Sequence, residues 1–83
     1  MKVLAEKPWS HVLMDNGTDW ILTYLIGGVV EIDVSIRLSK EEIAKIQENP
    51  TYLETLVDAA KTNRVTYASR EIHPPVWPLS AKG

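Results

Sequence analysis

The sequence predicts a mixed α+β domain: a four-stranded antiparallel sheet with two short helices packed on one face and an extended, proline-rich C-terminal tail. Three observations lead there. Stretches rich in β-branched and aromatic residues are punctuated by Asn16-Gly17 and Gly27-Gly28, dipeptides suited to tight hairpin turns. Two later segments open with Ser-x-x-Glu and Thr-x-x-Glu, the spacing of a helix capping box. A last β-rich stretch follows the helices, so the expected order is βββααβ.

Residues 1–8 read as an N-terminal arm, and residues 9–38 as a three-stranded meander. Its first strand runs from Trp9 to Asp15 and its second from Thr18 to Ile26. The third strand, Val29 to Leu38, alternates cleanly. Val30, Ile32, Val34, Ile36 and Leu38 share one side, while Glu31, Asp33, Ser35 and Arg37 share the other, the period of a strand with one buried face. Residues 39–63 read as two helices. Ser39 and Glu42 form the first capping box, Ile43 and Ile46 give that helix an apolar stripe, and Asn49-Pro50 ends it, since a residue before proline avoids the α region. Thr51 and Glu54 form the second box. Leu53, Leu56, Val57 and Ala60 then recur on one helical face, with Asn63 expected as a left-handed C-cap. Helices this short need a sheet to dock on. Residues 64–72 read as the fourth strand and 73–83 as the extended tail, whose prolines cannot donate to a ladder.

Eighty-three residues make a single domain. A chain of that length buries only about 60–65% of the surface it exposes when unfolded, so the core is thin. The absence of cysteine excludes disulfides and Cys-based zinc sites; it fits a reducing compartment, and a cytoplasmic location is expected. The first residues hold no apolar stretch of signal-peptide length. The longest apolar run, Trp20 to Val30, is broken by Thr23, Gly27 and Gly28 and falls short of the ~20 residues of a membrane span. Nine basic and eleven acidic residues give a net charge of −2, with the cations scattered. Nucleic-acid binders cluster theirs against phosphates, so neither a membrane nor a nucleic acid is an expected partner.

Turn length decides which side chains share a face, because a slip of one residue turns a strand over. With two-residue hairpins, Asp15 pairs with Thr18 and Ile26 with Val29. Val12, Met14, Ile21, Leu25, Val30, Ile32, Val34 and Ile36 then form the helix-covered core face. The reverse collects Trp9, His11, Leu13, Trp20, Leu22, Tyr24 and Ile26, bordered by Glu31, Asp33, Ser35 and Arg37. An apolar face of several hundred Å² commonly marks an interaction site. Its expected covers are the tail (Pro75, Val76 and Trp77), a second copy of the chain, or another protein whose basic residues meet Glu31 and Asp33. A bulge at Gly27-Gly28 would instead rotate Trp20, Leu22 and Tyr24 into the helix-covered core.

Nothing in the chain carries a catalytic, metal-binding or cofactor motif. Two strand spacings put His11 and Asp33 ~10 Å apart, beyond hydrogen-bond reach, and alternation points Ser10 away from the face of His11. Asp15 and Asp19 lack the repeated spacing of a calcium loop, and Gly27-Gly28 joins two strands rather than a strand to a helix, unlike a phosphate loop. The expected function is therefore a non-enzymatic, self-associating protein-interaction domain using Trp9, His11, Leu13, Trp20, Leu22, Tyr24, Glu31, Asp33 and Trp77. An inhibitor- or immunity-type role toward a basic partner is its most concrete version. The alternative is a small enzyme or ligand-binding protein with a pocket near His11, between sheet and tail.

Overall fold

The computed structural model describes residues 2–7, 10–26 and 32–77. They form strands β1 (Lys2–Lys7), β2 (His11–Asp15), β3 (Trp20–Ile26) and β4 (Ile32–Arg37), helices α1 (Lys40–Glu48), α2 (Tyr52–Thr62) and α3 (Arg64–Tyr67), a 3₁₀ turn (Ala68–Arg70) and strand β5 (Glu71–Ile72). The sheet is a five-stranded antiparallel meander in chain order. Mixed α+β architecture and antiparallel pairing agree with the sequence; the number and extent of the strands do not.

Two stretches differ from expectation. The N-terminal arm is a full edge strand. Val3 pairs with Met14 and Ala5 with Leu13, with a bulge between them. The bulge lets consecutive Leu4 and Ala5 both reach the helix-side core, while Val3 packs on the opposite side. The expected fourth strand is mostly helical. Thr66 N and Tyr67 N donate to Asn63 O at 2.9 and 3.4 Å, starting a new turn straight after α2. Among the described residues no strand pairs with that stretch, so its β-branched residues gain nothing from strand geometry, and only Glu71 and Ile72 pair with β4.

Local capping explains the helices. Ser39 Oγ accepts from Glu42 N at 3.2 Å, and Glu42 Oε1 accepts from Ser39 N at 2.8 Å, completing the first capping box. The second box does not form. Asn49 Oδ1 takes the Thr51 hydroxyl at 2.7 Å, and Thr51 itself has helical backbone angles. Asn63 ends α2 at φ −116°, outside the left-handed region. Leu53, Leu56, Val57 and Ala60 are buried as their spacing requires. Each large aliphatic among them contributes about 1.5–3 kcal/mol by leaving water.

Register then decides the faces. The first turn spans four residues rather than two, so Asp15 pairs with Trp20. Asn16 Oδ1 accepts from Thr18 N (3.0 Å) and Asp19 N (2.7 Å), and Gly17 supplies φ +98°. Displacement by two positions leaves every side chain on its expected side. At the next connection, Ile26 pairs with Ile32 rather than Val29, an odd displacement that turns β4 over relative to β3. Gly27-Gly28 itself lies outside the described residues. The main core accordingly joins Leu13, Leu22 and Tyr24 to Val34, Ile36 and Leu38 beneath Ile46, Leu53, Leu56, Val57 and Ala60. Val12, Met14 and Ile21 form a smaller cluster on the reverse, packed against Val3, Ile72, Val76 and Trp77.

Candidate functional site

The odd register at β3–β4 dismantles the docking face expected above. Leu13, Leu22 and Tyr24 are fully buried under the helices, and Trp20 is half-buried against the same core. His11 joins them on the helix side, only 6% exposed. Asp33 and Trp77 lie on the opposite face, where the Trp77 indole N–H donates to Asp33 Oδ2 at 2.6 Å. Trp9 and Glu31 lie outside the described residues. Of the expected interface residues, Asp33 and Trp77 are thus brought together, but not with Trp20 and Tyr24. The tail does fold back on the sheet, over Val12, Met14 and Ile21 rather than over the aromatic side chains.

What holds the tail is a feature the sequence reading missed. Thr23 and Ser35 face each other across β3 and β4 and are fully buried on the tail side. Val76 N donates to Ser35 Oγ at 2.8 Å, and Thr23 Oγ1 donates to Val76 O at 2.6 Å. The Thr23–Ser35 contact is 2.6 Å. With the Thr23 proton spent on Val76, Ser35 must supply the proton of that contact, and the three bonds close into a ring with each hydroxyl proton used once. Both backbone groups of one tail residue are thereby satisfied away from any ladder. Thr23 and Ser35 were visible as lone hydroxyls in mid-strand; only the register shows that they meet.

A cleft of about 280 Å³ opens where the tail leaves β5, lined by Ile32, Asp33, Arg64, Glu71, His73 and Pro75 among others. The Glu71 side chain is 6% exposed; Arg64 Nε donates to its Oε2 at 3.2 Å, and His73 Nε2 lies 3.5 Å from its Oε1. Nearby, Arg70 grips Glu42 in a two-pronged pair at 2.5 and 3.1 Å and lies over the Tyr67 ring at 4.7 Å. Burial alone would raise the Glu42 carboxyl, but the bonds from Arg70 and Ser39 and the Arg70 charge outweigh it, so its pKa is lowered.

Two polar groups on the helix side stand apart from this network. Burial, reinforced by the Lys7 charge, lowers the pKa of His11, so the imidazole is neutral near pH 7. Ser10 Oγ lies 3.0 Å from His11 Nδ1, contrary to the expectation from alternation: Ser10 sits in the turn before β2, where strand alternation does not yet apply. His11 is nonetheless on the face away from the tail, so it lines no pocket between sheet and tail; the histidine of the cleft is His73. Asp33 is on the reverse of the sheet and does not meet His11. The Tyr24 hydroxyl is buried without a hydrogen-bond partner among the described residues, and burial raises its pKa, with a further contribution from Glu71.

Among the described residues no group of three or more His, Asp or Glu side chains could hold a metal ion, and no helix is long and apolar enough to cross a membrane. No protein-family model matches the chain, and no curated protein or solved structure does so either.

Proposed function

We propose that this chain is a non-enzymatic protein-interaction domain that associates with itself, and that its contact surface is the β4–β5 edge rather than the aromatic side of the meander. The supporting observation is where the exposed large aliphatics fall. Among the described residues these are Ile32, 49% exposed, and Val65, 91% exposed. Ile32 lines the cleft, and Val65 follows Arg64, which also lines it. Continuing the β4–β5 register would set Pro74 opposite Asp33 and Pro75 opposite Ile32, and neither proline has an N–H to donate. The ladder therefore stops after two residues, leaving Ile32 exposed at that end of β4, where an apolar side chain offers a contact to a partner. A symmetric pair of chains would cover it on both copies at once.

Light scattering across a concentration series tests this. The wild-type chain is expected to pass from the mass of one chain to that of two, and the Ile32→Asp/Val65→Asp variant to remain at one. A wild-type mass of one chain at every concentration would refute self-association. A double variant that dimerises like wild type would refute this surface.

A further inference from the structure

We propose that strand β1 is an acid-released cover over the β2 edge of the sheet, with His11 as its trigger. The device lies at the opposite margin from the β4–β5 contact surface and does not depend on it.

His11 is enclosed by charge from two sides. In the sheet its cross-strand partners are Lys7 of β1 and Tyr24 of β3. From α2, Glu54, Asp58 and Lys61 act on it, and the residue before it supplies the Ser10 hydroxyl, 3.0 Å from Nδ1. At 6% exposure a neutral imidazole is tolerated there. An imidazolium is not, because burying a charge is costly and Lys7 sets a like charge directly opposite on the neighbouring strand. Protonation therefore favours any form that lets water reach the ring.

The two elements that enclose His11 offer unequal routes to that form. Lifting α2 would uncover Leu53, Leu56, Val57 and Ala60, all buried, and would carry Glu54 and Asp58 away from the new cation. Peeling β1 uncovers only Val3, Leu4 and Ala5 of that strand, each half-buried, and carries Lys7 away while the carboxylates stay. The β1 ladder is already interrupted by its bulge. Its side-chain tether to α2, Lys7 Nζ to Glu54 Oε1 at 3.3 Å, joins groups that are 61 and 63% exposed, a pair of little strength. Outer elements with so little buried surface open at low free energy, so β1 is the element that yields. Its release bares the backbone groups of β2 beside Val12, Leu13 and Met14, an edge suited to pairing with another strand. The cover is fully closed above pH 6.5, the ordinary imidazole value, and loosens as pH falls through the depressed value of the closed form.

Hydrogen exchange of the full chain, read by NMR and corrected for intrinsic rates, tests this. One proton taken up by the open form alone raises its population at most about thirtyfold between about pH 7.5 and about pH 5. Protection of the β1 amides is expected to fall several-fold over that interval, within that ceiling, at urea concentrations too low to accelerate exchange in α2. His11→Gln should leave the two pH values alike. Lys7→Met, at an exposed position, removes the opposing charge and should narrow the difference, which keeps the test open if His11→Gln misfolds. Three results would each overturn the cover: β1 protection equal at both pH values in the wild type, β1 amides that exchange only together with those of α2, or an undiminished pH difference in His11→Gln (in Lys7→Met, should the first variant misfold).

Discussion

Tyr24→Phe should make this protein more stable. The hydroxyl of Tyr24 is buried in the main core and has no hydrogen-bond partner among the described residues. In the unfolded chain the same group is hydrated. Folding therefore removes its water contacts without replacing them, and an unsatisfied buried polar group costs about 1–3 kcal/mol. Phenylalanine keeps the ring, its rotamer and its packing between Leu22 and Val34, so the substitution withdraws the penalty and little else. A gain of about 1 kcal/mol is expected, equivalent to ~4–8 °C in Tm for a domain of this size. Urea unfolding followed by far-UV circular dichroism at 25 °C measures it, with the midpoint moving up and the slope unchanged. A variant less stable than wild type by more than about 0.5 kcal/mol would refute the reasoning, because it would mean that the hydroxyl has a partner worth keeping.

Two further outcomes concern pH. The folded pKa of Glu42 is depressed, so its contribution is fully present above the ordinary carboxyl value of 4.5 and is lost as pH falls through the folded value. Glu42→Gln should cost about 1–3 kcal/mol at neutral pH and flatten the acid limb of a stability-versus-pH curve measured by urea titration. The folded pKa of His11 is also depressed, which leaves the unfolded chain binding the extra proton between the folded value and 6.5. Stability should therefore be complete above pH 6.5 and decline as pH falls through that window. An NMR titration in which His11 protonates at or above 6.5 would contradict this.

The parts of the fold legible in the sequence are those specified locally. The alternation of residues 30–38 and the Ser39–Glu42 spacing each carry their own geometry, and β4 and the start of α1 follow from them. Pairing between strands is not local. At Asn16-Gly17 the turn is two residues longer than the shortest hairpin, an even change that moves no side chain across the sheet. Beyond Ile26 the change is odd, and nothing in two glycines distinguishes odd from even. That single parity places Tyr24 opposite Val34 instead of the expected Glu31, buries the expected docking face, and brings Thr23 opposite Ser35. Val65, Thr66 and Tyr67 misled for a different reason. Their strand preference is a preference for neighbours, and the Asn63 carbonyl, accepting from Thr66 N and Tyr67 N, turns the chain back into helix instead.

The bulge at Leu4 has a consequence for what an assembly of this protein could become. It kinks the outermost strand, and exposed Lys2, Glu6 and Lys7 line that same margin. A flat, uncharged margin would template one sheet onto the next without limit; a bent, charged one resists such stacking. The misfit at one residue of β1 thus guards the free edge of the sheet against stacking into fibres.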